Sequence, residues 1–213
     1  VELSLGGGAC WVSLPSLSAA AFRPGLAAMT SSPYYKALNF GPGELRCVDD
    51  AGQLLPSVQT VLGLVRDADA ALSLGYVSFE EAIAAARSAA DLGIDKMVVT
   101  NPVPRFTDEQ IGALAAIPGV YFEVTCYMAH PDGPAGAGSG AALDRIVYAL
   151  RLVGVERSVM SSDGGMIDGP LPPVILAWGL AELTRRGFTL DDLRTLVHEN
   201  PRRLVPAPLA TGE

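Results

Sequence analysis

The sequence predicts an α/β fold built on a parallel sheet with helices packed outside it. Two observations carry that expectation. Short apolar runs alternate with amphipathic segments of helical period from residue 57 to the end. The apolar runs are continuous rather than alternating, as expected of strands covered on both faces. Two architectures satisfy this pattern: an open doubly wound sheet, or five consecutive units of an eight-stranded barrel.

The elements follow in order. VELSLGGGACWV reads as the tail of a helix running through glycines into a strand, Cys10 to Leu14, bounded by Gly8 and Pro15. Such a start lacks the basic and apolar regions of a signal peptide, and it suggests a chain beginning in mid-fold. Residues 15–56 are rich in Pro, Gly and Ser and read as an insertion. Within it, Leu45 to Val48 and Gln53 to Leu55 flank a turn with Asp50 and Gly52, a hairpin pattern. Ser57 to Asp67 is an expected helix and Ala70 to Leu74 a strand. Ser78 and Glu81 form a capping box ahead of the stripe Ala82, Ala85, Ala86, Ala89. Asp95 to Thr100 is a strand, and Thr107 with Gln110 opens the next helix by a second box. Val120 to Thr125 is a strand, Ala141 to Val153 a helix, and Glu156 to Ser161 a strand. Leu171 to Arg186 and Thr189 to Glu199 are two closing helices. The whole reads as one partial domain over 1–213.

Composition narrows the function. The chain has 213 residues, 49% hydrophobic and 18% charged, which suits a packed globule rather than a disordered chain. Fifteen Lys and Arg against 23 Asp and Glu give a net charge of −8, which disfavours nucleic acid and anionic membrane as partners. No run of 18 apolar residues proposes a membrane span. Cys10, Cys47 and Cys126 are widely spaced with no CxxC, which fits a reducing, cytoplasmic compartment. No dinucleotide fingerprint is present. Gly6-Gly7-Gly8 precedes a strand where a phosphate loop follows one, and Pro134 to Gly140 lacks the Walker lysine, so a loop reading outweighs a phosphate site. No Gly-x-Ser-x-Gly elbow supports a serine triad.

The last third carries a recognisable pattern. Val159 to Gly164 is an apolar strand ending in Ser-Ser-Asp, followed by GPLPP, a helix, and GFTLDDLRTLVHENPRRLV with Asn200, Pro201, Arg202, Arg203 and Leu204. This resembles the final strand and closing helices of the amidohydrolase superfamily. SSPYYKALNFGPGELRCVDDAGQLLP is similar to an uncharacterised amidohydrolase-like branch. The resemblance implies a parallel (β/α) barrel of the amidohydrolase type, here strands four to eight only, with an inserted β-hairpin. It also implies a divalent metal at the strand C-termini, held by a first-strand His-x-His, histidines on strands five and six, and an Asp on strand eight. By that alignment the chain lacks the first strand, Tyr76 and Asn101 stand where the histidines are expected, and Asp163 is the expected Asp.

Phenol and amide are weak zinc ligands beside imidazole. The metal therefore stays open: zinc, manganese or iron, or none. The resemblance makes Asp163 the catalytic residue, as metal ligand or general base; Tyr76 and Asn101, from the same alignment, and Cys126 and His130, from their places after a strand, are the substrate-binding candidates. Each has a plainer reading. Asp163-Gly164 is also a common turn dipeptide, His130 a solvated loop residue, and Cys126 a buried inert thiol. Glu123, inside an apolar strand, is either a site residue or outward-facing with a helix partner. His198 is expected as a capping or surface residue near a helix end, and Met128, Met160 and Met166 as filler. One functional reading is a hydrolase of a small-molecule amide, ester or lactone. The alternative is a metal-free relative serving as a binding subunit or in non-hydrolytic biosynthetic chemistry. Five units cannot close a barrel, so a homo-oligomer or a complementary N-terminal chain is the expected partner.

Overall fold

The computed structural model of the chain describes residues 1–22, 44–134, 136–166 and 169–205. Helix α1 (Glu2–Gly6) leads into strand β1 (Trp11–Ser13). The alternation then runs α2 (Pro56–Asp67), β2 (Ala71–Ser73), α3 (Phe79–Asp91), β3 (Met97–Thr100), α4 (Asp108–Ala115) and β4 (Val120–Thr125). It continues with α5 (Ser139–Val153), β5 (Ser158–Ser161) and α6 (Pro172–Arg185). The five strands form one parallel sheet in chain order. No helix among the described residues is long and apolar enough to cross a membrane.

The chain divides into two compact units: Val1–Thr100 with Ala116–Val120, and Asn101–Ala115 with the residues from Tyr121 onward. In the first unit β1, β2 and β3 pair in register, Val12 opposite Leu72 and Leu72 opposite Met97. Ala82, Ala85, Ala86 and Ala89 form the buried stripe of α3, as the spacing predicts. Small side chains there let the helix lie close to the sheet. The Ser78–Glu81 capping box is realised, and Glu81 also accepts a 2.6 Å hydrogen bond from the Cys47 backbone N–H. That carboxylate ties the preceding loop to the helix start. The hairpin narrows to a single antiparallel bridge, Val48 with Leu54, closed by the Asp49 carboxylate, which accepts from the backbone N–H groups of Ala51 and Gln53 at 2.9 Å each. Much of the insertion expected over 15–56, including SSPYYKALNFGPG, lies outside the described residues.

In the second unit β4 and β5 pair in parallel, Val124 opposite Met160 and Thr125 opposite Ser161. Val124, Cys126 and Met160 pack with Leu143, Ile146 and Leu150 of α5 and with Ile175 and Leu183 of α6 into one buried cluster. Side chains alternate along a strand, so Glu123 and Thr125 take the opposite face of β4.

The last helix differs from expectation. It does not end at Glu199 but runs as α7 (Leu190–Arg194), a π turn (Thr195–Glu199) and α8 (Asn200–Leu204). Pro201 lacks an N–H and would clash with a carbonyl one turn earlier in a regular helix. The wider π turn just ahead of it relieves that conflict. Asn200 is fully buried and donates to the carbonyls of Val155 and Ser158 at 2.8 and 2.6 Å, pinning the helix to the root of β5. His198 is an exposed surface residue, as one of its two readings expects, and it lies within the π turn rather than capping the helix.

Candidate active site at the strand C-termini of the second unit

Three residues of the second unit, each at or just past the end of a strand, meet in one hydrogen-bonded chain. Asn101 follows β3, Thr125 ends β4 and Asp163 follows β5. The Thr125 hydroxyl donates to Asn101 Oδ1 at 2.5 Å, and Asn101 Nδ2 reaches Asp163 Oδ2 at 3.5 Å. The first bond fixes the amide, so its N–H edge faces the carboxylate. Asn101 and Thr125 are buried, 5% and 3% exposed, with both polar ends of the amide engaged. The backbone adds to this picture. Asn101 (φ 48°) and Asp163 (φ 51°) both take the left-handed conformation. Asn and Asp tolerate it better than other side chains, and such residues gather at functional sites.

Asp163 is exposed as a residue, yet its carboxyl loses enough water to raise its pKa above the ordinary carboxylate value. Desolvation is the largest influence; the hydrogen bond from Asn101 and the neighbouring Thr125, whose hydroxyl fixes that amide, act in the opposite direction. A carboxylate whose proton affinity is raised is a better base once ionised. On the same face, Ser161 donates to Glu123 Oε1 at 2.8 Å. Glu123 thus shares the Thr125 face of the sheet rather than facing a helix.

A cavity of about 320 Å³ opens beside Asn101 and Thr125. Its walls are apolar, formed by Pro102, Val103, Val124, Met128 and Ile146. This size is at the small end for ligand cavities.

The other expected site residues lie elsewhere. Cys126 is buried against α6, where a Cβ at Gly179 would come within 2.5 Å of its Sγ. Burial pushes its thiol up to about 12, so it holds its proton at neutral pH. The structure therefore places Cys126 in the helix-facing core, not in the cavity wall. His130 is buried rather than solvated. Its ring meets Trp178 edge-on at 5.0 Å, and its Nδ1 accepts from the Asp132 backbone N–H at 3.1 Å. Tyr76 belongs to the first unit, half-buried, its ring 4.8 Å from that of Phe22. Met160 is core, while Met128 lines the cavity. Thr125 and the cavity-lining Arg145 gave no signal in the sequence. Thr125 reads as a β-branched strand residue, and Arg145 as a solvated face of a helix.

The metal implied by the resemblance can be tested on these donors. Among the described residues, no group of three or more His, Cys, Asp or Glu gathers to hold an ion. The Asn101 oxygen is taken by Thr125, and its nitrogen, which cannot ligate, is turned to Asp163. One carboxylate and an amide presented this way do not fit a zinc site, which wants three protein ligands of imidazole, thiolate or carboxylate type.

The fold is α/β, five parallel strands in one sheet with flanking helices, corresponding to part of a TIM barrel. It is similar to a metallopeptidase from Rhodobacter sphaeroides, solved with a phosphinate mimic of the dipeptide L-Ala-D-Ala (TM-score 0.53, 19% identity, 71% of this chain and 46% of that one). It is also similar to a second metallopeptidase, dipeptidase AC (TM-score 0.50, 18% identity, 71% and 48%). A third likeness is to a provisionally assigned 2-pyrone-4,6-dicarboxylic acid hydrolase from Pseudomonas putida (TM-score 0.51, 16% identity, 91% and 80%). The chain spans about half the length of the two metallopeptidases. At these identities the likeness concerns the fold. By sequence, the chain belongs to a family of unknown function, DUF6282, which matches residues 1–123. No curated protein matches it.

Proposed function

We propose that the chain carries the water-activating group of a small-molecule hydrolase, with Asp163 as general base. The observation behind this reading is the Thr125–Asn101–Asp163 chain at three strand C-termini. In parallel α/β barrels that end of the sheet is where catalytic groups are mounted. Fold analogy supports the reaction class, and the residues come from the site itself.

In this reading Asp163 takes a proton from a water molecule while the water oxygen bonds to the acyl carbon of an amide, ester or lactone. The bond from that carbon to the leaving group then breaks, and the proton passes from Asp163 to the departing nitrogen or oxygen. Asn101 and Thr125 are positioning residues. They hold the carboxylate in one rotamer and favour its ionised form, against its desolvation. Tyr76 and Asn101 stand in this reading as replacements for metal-ligating histidines, and no step passes through a metal.

The test is hydrolysis of a panel of small lactones, esters and anilides by the full chain, with Asp163→Asn alongside. At least one class should turn over, and the variant should lose about 10²- to 10⁴-fold in kcat, the usual contribution of a general base. A panel left intact by the wild type, or hydrolysed equally by the variant, would overturn the proposal.

A further inference from the structure

The cavity beside Asn101 has one charged lining residue among those described, and its charge is positive. Arg145 on α5 lines the cavity with Asn101 and Thr125, while every other described wall residue is uncharged. In a chain of net charge −8 this is a notable placement. The guanidinium is also held in position from behind. Its Nη2 donates to Asp108 Oδ1 at 2.7 Å, and its central carbon lies 5.3 Å from the centre of the Tyr148 ring. Asp108 does not line the cavity. Its bond to Arg145 is the main reason its carboxyl is held below the ordinary value, with a further hydrogen bond from Tyr148. Arginine has five N–H donors in a planar fork. One arm is occupied by Asp108, which leaves the remaining edge for a planar anion.

We infer that the cavity takes a small organic carboxylate, its apolar body against Pro102, Val103, Val124 and Ile146 and its carboxylate on Arg145. This rests on the hydrolase reading for where the reactive group lies, at the Asn101 end, next to Asp163, which does not itself line the cavity, but not for the binding itself. Carboxylate suits the site better than an ammonium or a neutral polar group. A cation would be repelled by Arg145, and a neutral group would forfeit the charge-assisted pair. The apolar walls add the affinity that a half-exposed ion pair does not supply alone. Asp108 acts as a positioning residue for Arg145.

The experiment uses benzoate and its uncharged isostere benzamide, titrated into the full chain and followed by amide chemical shifts. Benzoate should bind at millimolar concentration, with shifts at Asn101, Val103 and Ile146, and benzamide should bind about tenfold or more weakly, the scale of a charge-assisted hydrogen bond. Arg145→Gln should weaken benzoate by a similar factor and bring the two ligands together, whereas Asp163→Asn should keep the preference. Equal binding of the two ligands by the wild type, no benzoate binding at all, or an unchanged preference in Arg145→Gln would overturn the inference. The comparison within the wild type needs no variant to fold. A retained benzoate preference without Asp163-dependent hydrolysis would overturn the hydrolase reading alone. Hydrolysis that depends on Asp163 without any benzoate preference would overturn this inference alone.

Discussion

Asn101 is the residue on which the proposed site turns, and replacing it by alanine and by glycine separates its two roles. Alanine removes the amide that accepts from Thr125 at 2.5 Å and leaves a buried hydroxyl, 3% exposed as a residue, without that partner. Stranding a buried polar group costs about 1–3 kcal/mol. Alanine must also adopt φ near 48°, a left-handed conformation costing an ordinary side chain about 1–2 kcal/mol. The sum is a destabilisation of about 2–5 kcal/mol, at the large end for a single substitution. Glycine loses the same hydrogen bond but takes the left-handed backbone freely. It gives back part of that gain through the greater freedom of its unfolded chain. The expected order is therefore wild type, then Asn101→Gly, then Asn101→Ala, with the last two about 1 kcal/mol apart. That order reverses the usual advantage of alanine over glycine. Urea unfolding followed by far-ultraviolet circular dichroism reads all three. An alanine variant as stable as the glycine variant would refute the backbone argument, and a loss below about 1 kcal/mol in both would refute the hydrogen-bond argument.

Two further predictions concern thiols and pH. Cys47 and Cys126 are buried with pKa values pushed to about 12, Cys47 by desolvation with the Glu81 charge adding to it, whereas Cys10 is only partly buried. A disulfide thiol reagent at pH 8 should therefore titrate one cysteine quickly in the native protein and three in urea; fast reaction of two or three in the native state would contradict the packing. Asp163 has a folded pKa raised above its unfolded value near 3.8. Its ionisation thus opposes folding above the raised value, and this cost fades as pH falls from the raised value to the unfolded one, below which it is gone. Asp163→Asn, which keeps a residue tolerant of φ 51°, should melt higher than wild type at pH 7. The difference should shrink toward pH 4, and a gap that does not change with pH would count against the desolvated carboxylate.

Much of the fold was legible in the sequence because the signals were local. The boxes at Ser78–Glu81 and Thr107–Gln110 both form, since capping needs only the first turn of a helix. The strand ends at Thr100, Thr125 and Ser161 fell where the apolar runs stop. The closing helix was cut short because Pro201 reads locally as a stop, while the π turn that lets the helix pass it is a tertiary accommodation held by Asn200. At the site, Asn101 and Asp163 were visible through the family resemblance, as the residues standing at strand ends where it expects a His and an Asp. Thr125 was not, because its role depends on a neighbour 24 residues away. Cys126 and His130 stood close to a strand end in sequence, but side-chain alternation and the packing of α6 turn both into the protein.

The most direct test of Asp163 as a base held by its neighbours is the pH dependence of hydrolysis in wild type and Thr125→Val, using whichever substrate of the panel is turned over. A general base must be ionised, so the rate should fall as pH drops through its pKa. Thr125 lowers the Asp163 pKa, and its hydroxyl proton is engaged on Asn101 Oδ1, fixing the amide that donates to the carboxylate. Removing that hydroxyl should move the acid limb to higher pH, with a loss of plateau rate smaller than that of Asp163→Asn. An acid limb at the same pH in both proteins, or a rate that does not decline in acid, would contradict the account.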